Sequence, residues 1–191
     1  FPFQVSKRLT DPDPFVVAAQ KQLERKQTPH YHHSDMIRSS GAITIRVREK
    51  NVGRALRFTD AFIKMIRGRG HIIGTGWAGQ LNIDGENYEV KLIEIAKKGE
   101  SDRLRIPTFK GTGVLSFSIY GIQTNTWKDG RAPIEDRLPD ILAKLEATIN
   151  YWKEYRGKQA EENRLLEEKE RIVREQRERI EKEKTDFEDL Y

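Results

Sequence analysis

Cysteine is absent from the 191 residues. That excludes a disulfide scaffold, thiol catalysis and zinc sites built on thiolates. Long apolar runs are missing too. No stretch approaches the roughly 18 residues a bilayer-crossing helix needs, so a membrane protein is not expected. Apolar residues are scarce overall, at 36% against 34% charged. An ordinary globular domain has about 45–50% and about 25%, so part of the chain is expected to lie outside a packed core. Catalytic signatures are also lacking. There is no G-x-S-x-G nucleophile. The glycines of GRGHIIGTGWAG follow a helix-like segment, whereas a phosphate loop runs strand, glycine turn, helix, with a Lys-Ser/Thr pair. No catalytic residue and no cofactor is assigned, and the chain is read as a non-enzyme.

What is abundant is charge, and it is uneven. The net charge is +5. Residues 131–191 carry 14 basic and 17 acidic side chains, whereas residues 1–130 carry 21 and 13. The basic surplus of the first two thirds can attract phosphates or acidic proteins. The chain opens on Phe1 in FPFQVSKRL, without the basic-then-apolar order of a secretory signal. It therefore reads as beginning inside a longer protein.

Asp13-Pro14 before FVVAAQKQLERK reads as a cap and first helical position, with Phe15, Ala18, Ala19 and Leu23 on one face over about 14–26. QTPHYHHSD reads as a loop. GAITIRV alternates as a half-buried strand. Asn51 is expected to cap a helix to about Arg67, with Leu56, Phe62, Ile63 and Ile66 facing the core and Gly68 and Gly70 ending it. Strand patterns follow in HIIGTGW, in GQLNIDGENYEVKLIEIA around the turn dipeptide Asp84-Gly85, and in GVLSFSIYGI, whose Leu115, Phe117 and Ile119 alternate with Ser116 and Ser118 on the expected solvent face. KKGESDRLRIPTFKGTG reads as a long polar connection and WKDGRAP as a turn.

A last helix starts near Pro133 and is expected to run to the C-terminus. Steps of seven give Leu138, Leu145, Trp152, Gln159, Leu166, Val173, Ile180 and Phe187, while the partner position is mostly polar beyond Tyr155. The far part thus has one thin seam, flanked by Leu165 and Ile172. Acid-to-base pairs four apart, Glu154–Lys158, Glu167–Arg171, Glu170–Arg174, Glu175–Arg179 and Glu178–Lys182, are expected to support it, with Gly157 as its weak point. The fold class is α+β: a mostly antiparallel sheet of about five strands packed with helices, plus a long protruding charged C-terminal helix. The expected divisions are 1–40, an N-terminal helix and linker, 41–156, the α+β domain, and 157–191, the charged helical tail.

ALRFTDAFIKMIRGRGH at 55–71, GVLSFSI at 113–119 and WKDGRAPIEDRLPDILAKLE at 127–146 resemble a family of uncharacterised bacterial proteins. These often carry an N-terminal helix-turn-helix-like segment, then an α/β region, then a tail rich in Glu and Arg. The resemblance covers about residues 11–185 and implies a bacterial, cytoplasmic, DNA-associated protein. It implies no catalytic residues.

His30, His32, His33 and Asp35 could ligate a divalent cation. They lack the H-E-x-x-H spacing, and a solvated loop accounts for them, so no metal is assigned. Glu135, Asp136 and Asp140 fit the positive end of the last helix. The candidate nucleic-acid residues are Arg46, Arg48, Arg54, Arg57, Lys64 and Arg67, in a basic set that also holds Lys50 and Arg69. Trp77, Tyr120 and Trp127 are the aromatics that could stack on bases, although Trp127 is read as packing on the last helix. Leu166, Val173, Ile180 and Phe187 are the candidate self-association seam, with a homodimer through the C-terminal helix as its outcome. The functional expectation is a binding or assembly module with nucleic acid as partner and no membrane. The alternative is an enzyme acting on nucleic acid through a site completed in an oligomer or by an N-terminal region.

Overall fold

The computed structural model describes residues 5–25, 34–77, 80–101, 107–121 and 125–188. The chain divides into two units, Phe1–Thr148 and Ile149–Tyr191. Within the described residues the order is α1 (Pro14–Glu24), β1 (Met36–Ser39), β2 (Ile43–Arg48), α2 (Val52–Gly68), β3 (Ile73–Thr75), β4 (Leu81–Ile83), β5 (Glu86–Ser101), β6 (Pro107–Tyr120), β7 (Asn125–Lys128) and α3 (Leu138–Glu188). Short 3-10 turns at Glu49–Asn51 and Ile134–Arg137 lead into α2 and α3. No helix among the described residues is long and apolar enough to cross a membrane.

The fold is α+β, but its sheet has seven strands rather than about five. β1 and β7 are the additions. Each is four residues long and buries a single residue, Ser39 or Trp127, so neither shows apolar alternation. β5 is central. It pairs antiparallel with β6 on one edge. On the other it pairs with β4, antiparallel, and with β2, parallel. The parallel pair exists because α2 lies in the connection that returns the chain to the same end of the sheet. β1 extends the sheet beyond β2, β3 beyond β4, and β7 beyond β6.

Asp84-Gly85 forms the expected two-residue turn between β4 and β5. Asp84 has φ +52° and Gly85 φ +91°, the left-handed pair that a tight hairpin requires. The expected polar connection at 97–113 is largely a ladder. β5 and β6 continue past the core as a two-stranded ribbon, with Ala96 opposite Gly111, Lys97 opposite Lys110 and Lys98 opposite Phe109. The register shifts between Glu94 and Ala96, where Gly113 adopts φ +91°.

The core lies between the sheet and the helices. Phe117 meets Phe58 and Phe62 edge-on, at centroid distances of 5.1 and 4.9 Å. Leu56, Phe62, Ile63, Ile66, Leu92, Leu115, Phe117, Ile119, Leu142 and Leu145 are all buried, as the periodicity predicts. Trp127 packs here as expected, its Nε1 donating to Asp140 at 2.6 Å. Asp13 caps α1 by accepting from the Phe15 amide at 3.0 Å. The buried face of α1 is Val16, Ala19 and Leu23, with Ala18 exposed, so it is rotated from the expected one. Asn51 does not cap α2 with its side chain; its Nδ2 donates to Glu94 instead.

In the second unit, α3 runs through Gly157 without a break. None of the five expected acid-to-base pairs is formed among the described residues. The side chains bond one turn back instead, in Arg164–Glu161 and Arg171–Glu168 at 2.8 and 2.7 Å, with Arg171–Glu175 at 3.7 Å. Tyr151, Trp152 and Tyr155 form an aromatic cluster on this unit.

Candidate nucleic-acid interface

Most of the basic residues singled out in the sequence serve the fold. Arg48 pairs with Glu94, its Nε and Nη2 both 2.7 Å from Oε1. Arg54 grips Asp129 and Glu135 with four contacts of 2.6–2.8 Å. Lys64 binds Asp60 at 2.7 Å and the carbonyls of Thr10 and Asp11. Arg67 holds Asp13 at 2.8 Å, and Arg69 holds Glu146 at 2.8 Å. Among the described residues, Arg46 and Arg57 make no ion pair. They belong to different layers, β2 and α2, so the six candidates do not form one patch.

The ion pairs shift several ionisations in ways that fix them as charged struts. Burial works against ionisation of Glu94, but donation from the Arg48 amide, Asn51, the Arg48 guanidinium and the Gly113 amide holds it below the usual carboxylate range. Asp129 is also lowered. Its burial is outweighed by Arg54 and by the Leu115 and Ile134 amides. The bonds of Glu135 and Asp129 raise Arg54 in turn. Glu146 is lowered by Arg69 first, then by His71. His71 Nδ1 lies 2.8 Å from Asp84 and its Nε2 3.7 Å from Glu146. The Tyr88 hydroxyl is pushed up to about 12, by burial and then by Asp84.

Metal chemistry gains nothing from the described residues, where no group of three or more His, Asp or Glu side chains is placed for a cation. His30, His32 and His33 lie outside them. Asp35 accepts from the Gly111 amide at 2.9 Å and lies 3.9 Å from Arg48.

The other side of the sheet has a different character. Strand alternation sends the odd residues of β2 and β6 and the even residues of β5 into the core, and their neighbours to the opposite face. Register links these neighbours into rows. Arg38, Arg46, Ile93, Ser116 and Lys128 align across five strands. Thr44, Lys91, Ser118 and Thr126 form the next row. Tyr120 stands opposite Glu89. Farther along the ribbon, Lys97 has the parity of Lys91 and Ile93 and stands opposite Lys110.

Arg38, Arg46, Tyr120, Thr126 and Lys128 are exposed on this face. Ser116 and Ser118 lie at its floor, 4% and 6% exposed, below the solvent position expected for them. Exposed cations thus flank a central strip, here called the trough, that holds Lys91, Ile93, Ser116 and Ser118. From Arg46 on β2 to Lys128 on β7 is three strand spacings, about 14 Å. Lys91 lies 4.5 Å over the Tyr120 ring and pairs with Glu89 at 2.9 Å. Of the three candidate stacking aromatics, Trp127 is buried, Trp77 is 81% exposed and Tyr120, on this trough, is 37% exposed.

Of these residues, Arg46 and Tyr120 were visible from sequence. The rest depend on strand pairing. Lys97 and Lys110 lie within a stretch that reads as polar loop, and Arg38 and Lys128 lie on the two strands too short to show a pattern. Along α3, Leu166, Val173 and Ile180 are 57%, 47% and 56% exposed, while the side chain of Phe187 lies outside the described residues. Comparison with family models, curated proteins and solved structures finds no match to this chain.

Proposed function

We propose that the chain is a non-enzymatic binding module whose open sheet face holds the phosphate backbone of DNA, and whose C-terminal helix serves self-association or partner docking. The observation that carries the first part is the opposition of like charges across the strands. Lys97 faces Lys110 across the ribbon. Like charges directly opposite one another destabilise a sheet. Neither Lys97 nor Lys110 has an anionic partner among the described residues. A polyanion laid along the trough turns that repulsion into attraction and releases counterions as it binds.

The non-enzymatic reading is supported by the fate of the acids. Glu94 and Asp129 are each bound by an arginine and by backbone amides, which leaves them poorly suited to exchanging protons with a substrate. The resemblance to bacterial proteins with an N-terminal helix-turn-helix-like segment supports a DNA-associated role in the bacterial cytoplasm. The exposed residues Leu166, Val173 and Ile180 support pairing with a second copy, in a homodimer held weakly because their partner heptad position is polar.

The test is a mobility-shift titration at low salt with the wild-type chain and an Arg46→Gln/Lys97→Gln/Lys128→Gln variant. The reading expects binding by the wild type and its loss in the variant. Equal retention of DNA by both proteins would rule the face out.

A further inference from the structure

We infer that the ligand of the trough is single-stranded DNA, with one unpaired base stacked on Tyr120. This rests on the reading of the face as a DNA-backbone site and narrows it to one form of the polymer. The banks stand about 14 Å apart, which admits one chain and is narrower than a duplex. The floor between them is Lys91 and Ile93 on β5 beside the near-buried Ser116 and Ser118 on β6. A duplex resting on the banks would leave this floor untouched. A single strand lying along β5 and β6 can lie against it while its phosphates meet Arg46, Lys128 and the opposed Lys97 and Lys110.

Tyr120 supplies the second reason. It stands at one end of the trough, 37% exposed, with the Lys91 ammonium over one face of its ring and paired with Glu89. The opposite face of the ring is the one that can receive the flat face of a base, and a paired base inside a duplex has no free face to offer. Lys91, across the ring from that base, adds its charge at the same end of the trough. Glu89 is the carboxylate next to this point. Its pairing with Lys91 limits its repulsion of the backbone.

Fluorescence anisotropy on the full chain separates this inference from the reading beneath it. The probes are a short labelled DNA single strand and the duplex of the same sequence. The variants are Tyr120→Ala, Tyr120→Phe and Arg46→Gln/Lys128→Gln, each checked for wild-type melting by circular dichroism. The single strand should bind more tightly than the duplex. Tyr120→Ala should weaken single-strand binding about tenfold, the scale of one lost base stack. Tyr120→Phe should retain it, and neither change should alter duplex binding. If Arg46→Gln/Lys128→Gln abolishes binding but Tyr120→Ala binds the single strand like wild type, the backbone reading stands and the single-strand inference fails. Duplex binding at least as tight as single-strand binding overturns the inference as well. If neither probe binds the wild type, both fall.

Discussion

Glu94 has no solvent exposure, yet it stays ionised because its two oxygens accept from the Arg48 amide and guanidinium, the Asn51 side chain and the Gly113 amide. Removing its charge leaves Arg48 without its buried partner. Glu94→Gln should therefore cost about 3 kcal/mol at neutral pH, at the lower end for a broken buried pair. The folded carboxyl lies below its unfolded value, so its contribution is complete above about pH 4.3. It is lost as pH falls through the depressed folded value. Acid titration of thermal stability should show a shallower decline for Glu94→Gln than for wild type, and parallel curves would deny the pair this role. Gly111 leaves the room the carboxylate needs, since a Cβ there would sit 2.5 Å from Glu94 Oε1 and 2.8 Å from Arg48 Nε. Gly111→Ala should lower the melting temperature. Phe117, wedged between Phe58 and Phe62, tests the core directly. Phe117→Ala should cost about 3–5 kcal/mol in a urea titration, and an unchanged midpoint would contradict the packing.

At the scale of elements, legibility followed burial. α2 and the core halves of β5 and β6 showed in the sequence because their apolar residues repeat with the period of the element. The ribbon beyond Glu94 did not, since Lys97, Lys98, Phe109 and Lys110 are all exposed. Its order comes from backbone ladder bonds, which leave no side-chain pattern. The partners of Arg54 lie 75 and 81 residues away, a distance no local spacing can reveal, and so its apparent availability for DNA was misleading. The two shortest ion pairs of α3 fell at three-residue spacing, with Arg171–Glu175, four apart, longer at 3.7 Å. Leu166, Val173 and Ile180 recur every seven residues in the sequence and are exposed, as is every residue from Lys153 to Thr185. A chain ending at Lys158 retains all the buried residues named here but loses Leu166, Val173 and Ile180. Sedimentation velocity should find self-association in the full chain and none in the shortened one, with the α+β unit folded in both. Two monomers at high concentration would remove the seam from the account.

At the scale of the whole molecule, a net charge of +5 understates the contrast between its parts. Internal acids neutralise most of the basic set on and around α2, and exposed cations remain along one sheet face. The most direct measurement is the salt dependence of DNA binding, because it counts the phosphates the protein neutralises. Engagement of about four phosphates by Arg46, Lys97, Lys110 and Lys128 gives a slope of log K against log salt of about −2.8 for a single strand. Neutralising Arg46, Lys97 and Lys128 together should flatten that slope by about 2. The same slope in wild type and variant, or equal flattening when Arg54 and Lys64 are neutralised instead, would contradict the assignment of DNA binding to this face.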